Sequence, residues 1–360
     1  MIGERLKLAR NGAGLSLRAL AERMGGLVSA QALNKYEMNR MMPESRVLLA
    51  LSKALSVPPD YLLGQRQIGL SGLEFRKAPG SGAKEERIVR AKIMEQLERQ
   101  IAIEEALNLP SLHWHSPLER HPPIQAPDEG MAAADTLRSN WHLGRDPIPS
   151  MTELLEEYGI KVIALGLPER AFGSQLHALM SGGRSIPAVV VNSKHTGERQ
   201  RFTLAHELGH LVLAFQRKLP RAVEEKAINR FAGAFLVPAE ELRLAVGTHR
   251  SDVSLGELIE LKGRFLVSLQ TLVVRLRQSG VLTDADADRH WQMLKDKGYL
   301  SPPWEEPNPV PPEQSHRFHR LGLRAVSEGA LSESRAAELL GVRTRTLSKW
   351  LDEGTHAAAA

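Results

Sequence analysis

Apolar positions along this chain recur mostly at helical spacing, and the pattern predicts a mainly α protein with a small central β-sheet (α+β). Residues 1–64 read as four or five short helices. Leu6, Leu8 and Ala9 begin the first, Ser16 is placed to cap the second, and Pro43 precedes a helix through Leu48, Leu51 and Leu55. A last short helix opens at Pro58-Pro59 and ends at Gly64. Glycine and proline mark 65–83 as a linker. Ile88, Ile93, Leu97, Ile101 and Leu107 then stripe one side of a long helix over 84–108. The proline-dense segment 113–128 predicts irregular chain. Beyond it come a helix with Ala133, Leu137 and Trp141, a second over 151–158, and Val/Ile-rich strands at 160–165 and 186–192. Helices follow over 200–214 and 223–235, and 253–300 reads as helical. No repeat of 20–50 residues is visible along the chain.

These breaks give a domain plan. It consists of a helical head (1–64), a linker with its long helix (65–128), a body (129–300), a proline-rich linker (301–312) and a C-terminal helical unit (313–360). Trp291, Trp304 and Trp350 read as core, and the tail from Gly354 to Ala360 as disordered. The chain has no cysteine, so disulfides and thiolate-bound metals are excluded and any transition metal must sit on His and carboxylate. No apolar run is long enough to span a bilayer and no signal pattern opens the chain, which points to a cytoplasmic protein without a membrane partner. The net charge is +5. Residues 1–64 hold nine Lys+Arg against five Asp+Glu, so the basic excess lies almost wholly in the head.

The sharpest chemical signal is His206-Glu207-Leu208-Gly209-His210, an H-E-x-x-H pattern inside a run of helical periodicity. Residues four apart on a helix differ by about 40° in azimuth, so both imidazoles project from one face and can share a tetrahedral zinc ion. Glu207 lies about 100° from His206, beside the metal rather than on it, where a general base would take a proton from water. Random placement of 13 His and 32 Glu in 360 residues yields the pattern with a probability of roughly 0.04, so a helix with two hydrogen-bonded histidines is the bland alternative. A third ligand is needed. Glu224 and Glu225 both flank the apolar face of the helix over 223–235, and angular position does not choose between them.

Two segments carry a resemblance. One runs from Arg201 through the motif to Leu213, and the other from Glu225 through Asn229 to Pro238; weaker likeness lies upstream around Trp141, Gly144 and Pro147 and around Gly159. They resemble the ImmA/IrrE family of metallopeptidases. The resemblance implies one zinc per chain on His206, His210 and Glu225, with Glu207 catalytic. It also implies a protein substrate, such as a helix-turn-helix repressor, a toxin–antitoxin component or the chain itself. A short flanking sheet is implied too, with 186–192 the candidate strand for pairing with an extended peptide. His177, His195 and Tyr158 are near enough in sequence to be considered for oxyanion stabilisation, but read more simply as structural.

Residues 1–64 resemble an XRE-type (Cro/repressor-like) helix-turn-helix, implying double-stranded DNA as a partner and leaving a homodimer open. Ala21 and Gly25 fit the first helix and turn, and Ser29 through Glu37 read as the recognition helix. Ala30, Gln31 and Asn34 are placed to meet bases; Lys35, Asn39 and Arg40 are placed to meet phosphates. The turn runs one or two residues longer than usual. At the C-terminus Ala337, Gly341 and Leu347 repeat helix-turn-helix spacings, in a short and weakly basic unit that reads at least as well as a protein-contact or packing element as a DNA-binding one. Together these features predict a DNA-binding regulator with a zinc endopeptidase body. The alternative is a regulator or antitoxin whose peptidase-like body senses or docks without turnover.

Overall fold

The computed structural model describes residues 2–57, 59–63, 68–72, 83–109, 114–168, 173–180, 183–301 and 305–353. Most of the 65–83 linker, Trp304 and the tail from Gly354 lie outside the described residues. The head contains α1 (Ile2–Gly12), α2 (Leu17–Arg23), α3 (Ala30–Glu37), α4 (Ser45–Leu55) and α5 (Pro59–Leu63). Next come a short strand β1 (Gly69–Ser71) and the 24-residue helix α6 (Ala83–Ala106). The body starts with α7 (Glu129–Asn140), α8 (Met151–Glu157), β2 (Lys161–Leu165), β3 (Gly173–Leu179) and β4 (Ser185–Asn192). It continues with α9 (Gly197–Val212), α10 (Arg221–Leu236), α11 (Ala239–Val246), α12 (Leu255–Phe265), α13 (Leu269–Gln278) and α14 (Asp284–Asp296). Three helices end the described chain: α15 (Arg317–Ser327), α16 (Glu333–Leu340) and α17 (Thr344–Glu353).

The chain divides into two compact units, one of residues 1–113, 176–186 and 316–360, the other of 114–175 and 187–315. In the first, the head closes over Leu6, Leu20, Leu33, Leu51 and Leu62, all essentially inaccessible. The long helix is no free rod. Its Glu98 forms a buried ion pair with Arg5 of α1, and further along Ala102 and Ile103 pack with Leu321, Ala336, Leu340 and Leu347 of the C-terminal helices. Trp350 packs at the edge of that second cluster.

The second unit has one continuous core, drawn from α7 to α14 and from β2 and β4, with Trp291 partly buried against it. The proline-dense stretch before α7 is irregular, yet Ile124 is fully buried and trades backbone hydrogen bonds with Ala214 and Gln216 at 2.8 and 3.0 Å. The proline-rich segment after α14 is held to the body rather than hanging free. Glu306 accepts from Lys262 and from the backbone of Leu269, and Glu313 accepts from Arg201 and the first N–H groups of α8.

The strands stand in the order β1-β3-β4-β2, with β2 parallel to β4 and β1 antiparallel to β3. This corrects the expectation for residues 186–192. β4 is an interior strand, buried along nearly its whole length, so its ladder groups are taken by neighbours and an incoming peptide cannot add to it.

Candidate metal centre and DNA-facing helices

Helix α9 carries the H-E-x-x-H residues and α10 crosses it closely. Gly209 makes the approach possible: a Cβ there would stand 3.0 Å from Ile228 and 3.1 Å from Phe231 of α10. The crossing delivers Glu225 to the histidines. His206 Nε2 lies 3.2 Å from His210 Nε2 and 3.6 Å from a Glu225 carboxylate oxygen, and the three candidate ligand atoms all lie within 4.8 Å of one another. Zn–N bonds of about 2.0–2.1 Å at tetrahedral angles set ligand atoms about 3.3–3.4 Å apart, so this donor set fits a zinc ion with one coordination position left for water. Glu225 rather than Glu224 stands with the two histidines in this cluster. The side chains of His206 and Glu225 are 14% and 20% exposed, so solvent reaches the site.

Two surrounding contacts were not foreseen. Asn229, one turn after Glu225, presents Oδ1 to His206 Nδ1 at 3.0 Å. A proton on Nδ1 donated to that oxygen leaves the Nε2 lone pair for a metal. The spacing of four between Glu225 and Asn229 was the available signal, since it puts both on one helix face. The second contact comes from backbone: Gln175 N–H at the start of β3 donates to Glu207 Oε2 at 2.9 Å. Gly173 lets the strand pass this near, because a Cβ there would meet Thr203 at 2.6 Å and Val190 O at 2.7 Å. Glu207 is thus 8% exposed with one carboxylate oxygen anchored.

The residues considered for oxyanion stabilisation have structural partners. Tyr158 stacks on Trp141 at 4.1 Å and donates its hydroxyl to Trp141 O; burial, then Glu157, pushes its phenol up. His177 Nδ1 lies 3.0 Å from Ser185 Oγ, its pKa lowered by burial. His195 sits in the turn before α9, its carbonyl accepting from Gln200 and its ring beside Asn192.

In the head, Ser16 and Ser29 cap α2 and α3 by accepting from Ala19 N and Ala32 N at 3.1 Å. Six residues separate the two helices, with Gly25 and Gly26 in the left-handed region at φ 68° and 74°, which accounts for the long turn. Leu33 and Tyr36 of α3 face the core, leaving Gln31, Asn34 and Lys35 exposed on its outer side, Ala30 half-buried, and Arg40 exposed just beyond. Asn39 is also exposed, but its Oδ1 accepts from Gly3 N at 2.9 Å, so this side chain holds the start of α1. Among the described residues no helix is long and apolar enough to cross a membrane.

Comparison with known proteins agrees with both halves. Residues 155–277 match the peptidase family described as the IrrE N-terminal-like domain, and residues 6–62 match a helix-turn-helix family. The curated relatives align only with a short part of the chain. An uncharacterised SPbeta prophage-derived HTH-type transcriptional regulator, YonR of Bacillus subtilis, is 38% identical over 63 residues, covering 18% of this chain and 56% of that protein. The HTH-type transcriptional regulator ImmR of Bacillus subtilis is 36% identical over 67 residues, 19% and 51% of the respective chains. This chain thus spans about half the length of the curated relatives it matches. The chain thus carries an XRE-type helix-turn-helix over residues 6–62 and an IrrE-like peptidase-family domain over residues 155–277.

Proposed function

We propose that this chain is a cytoplasmic DNA-binding regulator whose body is a zinc-dependent endopeptidase. The observation carrying this reading is the convergence of His206, His210 and Glu225, whose ligand atoms lie within 4.8 Å of one another, with Glu207 beside them. When bound, zinc would supply a Lewis acid for a peptide carbonyl and acidify a water. Glu207 is the proton acceptor, its carboxylate fixed by the Gln175 amide so that it need not reorient during transfer. Asn229 keeps the imidazole of His206 turned with Nε2 inward. The extended segment Gly173–Gln175 runs beside Glu207, while β1 pairs with β3 only at 177–179; a substrate peptide in extended form would therefore lie along the start of β3 rather than β4.

The substrate class is a protein partner: a helix-turn-helix repressor, a toxin–antitoxin component, or a copy of this chain. The head takes double-stranded DNA through α3, with Ala30, Gln31 and Asn34 toward bases and Lys35 and Arg40 toward phosphates, most simply as a homodimer on a two-fold site. A second reading keeps the DNA-binding head but makes the body a sensing or docking module, and it gains support from the regulator names of both curated relatives. Elemental analysis of purified protein, followed by incubation with the products of neighbouring genes, separates the two. One zinc per chain, lost in His206→Ala, together with cleavage abolished in Glu207→Gln, supports the peptidase. Retained zinc in His206→Ala rejects the ligand set. Stoichiometric zinc without cleavage of any partner favours the second reading.

A further inference from the structure

The helix-turn-helix of the head has a counterpart at the other end of the chain, and aligning the two on their caps brings the chemistry into register. Ser332 caps α16 by accepting from Arg335 N at 3.3 Å, as Ser16 caps α2. Four residues after each cap stands a fully buried residue, Leu20 or Ala336, and the fifth is alanine in both, Ala21 or Ala337. The turn is shorter at the C-terminus, three residues between α16 and α17 against six between α2 and α3. It holds a single left-handed glycine, Gly341 at φ 71°, where the head has two. On the second helix the fully buried anchor is Leu33 in α3 and Leu347 in α17. Two residues before the anchor are Gln31 and Arg345, and two after it are Lys35 and Lys349, all exposed; three after it are the aromatics Tyr36 and Trp350, turned to their respective cores.

We propose that α16 and α17 form a second site for double-stranded DNA, contacted by Arg343, Arg345 and Lys349. Between Glu338 and Asp352 these three are the only charged residues, all are exposed, and none forms an ion pair among the described residues. Two basic residues on the neighbouring helices are instead neutralised locally, Arg324 by Glu328 and Arg335 by Glu338. Arg345 and Lys349 lie four apart, opposite Leu347, on the face that has no core to pack against. A helix whose inner side is satisfied and whose outer side carries uncompensated cations at its start suits a groove lined by phosphates. Helix α1 of the head and α16 both pack on α6, so the chain carries two such surfaces within one folded unit.

The test uses the full-length chain and a labelled mixed-sequence duplex, with anisotropy read across a salt series. In a Gln31→Ala/Lys35→Ala background, adding Arg343→Ala/Arg345→Ala/Lys349→Ala should weaken the residual binding about tenfold or more at low salt. It should also make the plot of log affinity against log salt shallower by about two to three units. Arg345→Gln and Lys349→Gln singly, which keep the side-chain bulk, should each remove about one unit, and decide the matter if the triple variant unfolds by circular dichroism. Unchanged affinity and slope in folded variants would overturn the proposal, as would loss of binding to polyglutamate with duplex binding intact, which would reassign the face to an acidic protein. The head's own assignment fails separately, if Gln31→Ala/Lys35→Ala leaves binding unchanged.

Discussion

His206 turns its two nitrogens to different neighbours, Nδ1 to Asn229 and Nε2 to His210 and Glu225, and this asymmetry gives the sharpest single-residue expectation. Asn229→Ala leaves the three ligands in place but lets the ring and its tautomer relax. Zinc affinity, measured by competition with a chelating dye, should fall about 10–100-fold with the fold unchanged. An affinity equal to that of the parent protein would show that Asn229 does not orient the ligand. Glu207→Gln separates binding from chemistry in the opposite sense. It should hold zinc at parent stoichiometry and lose about 10²–10⁴ in peptide cleavage, because an amide cannot accept the proton. Loss of zinc along with activity would place Glu207 among the ligands instead. The two histidines and Glu207 were legible from sequence, because helical spacing alone puts them on or beside one face. Asn229 was marked only by its spacing of four from Glu225, and the Gln175 amide by nothing local, since both act across separate elements.

At the scale of elements, the segment after α14 behaves as a strap. Glu313, buried against Arg201, also accepts from the backbone N–H groups of Met151 and Thr152 and so caps α8. Glu313→Ala strands a buried guanidinium and uncaps a helix, and should cost about 3–5 kcal/mol in urea unfolding. A change below about 1 kcal/mol would show the strap to be incidental. The second tie, Glu198 with the fully buried Lys262, should be visible in acid. Burial alone would raise the Glu198 carboxyl, but the hydrogen bond from Lys262 and that from Val310 N–H outweigh it and hold it below the usual range. Because the folded-state value is the depressed one, this contribution is present above the ordinary carboxylate pKa and lost as pH falls through the depressed value. Glu198→Gln should therefore flatten the acid limb of the stability profile; an unchanged limb would assign acid sensitivity elsewhere. Sequence marked this segment as a linker on its prolines alone. Proline density reports the absence of helix, whereas attachment depends on two glutamates meeting Lys262 and Arg201 from distant helices. Strand β4 shows the same limit: its Val-rich run identified a strand but not its neighbours, and only the sheet order makes it interior.

For the whole molecule, the proposed function has a kinetic consequence, because it fuses a DNA-binding head to a peptidase body in one chain. A substrate bound beside the head on one duplex meets the body at an effective concentration in about the millimolar range for short connections. Duplex DNA carrying the recognised site should accordingly accelerate cleavage of a DNA-bound substrate, and Gln31→Ala/Lys35→Ala should remove the acceleration while leaving the rate without DNA unchanged. Equal rates under all conditions would mean that the two halves work independently. What is local in the chain could be read from its residues: helix over strand from apolar period, the cap serines, the recognition-helix pattern, the paired imidazoles with their carboxylate, and the exclusion of thiolate chemistry. Each follows from backbone geometry within a few residues. What depends on the distance between segments came only from the fold. It brought Glu225 rather than Glu224 beside the two histidines, brought Asn229 to His206, and set the start of β3 beside Glu207. It also held the proline-rich strap to the body. Those outcomes turn on how closely helices and strands approach, as at Gly209 and Gly173, where a missing side chain sets the separation and no periodicity records it.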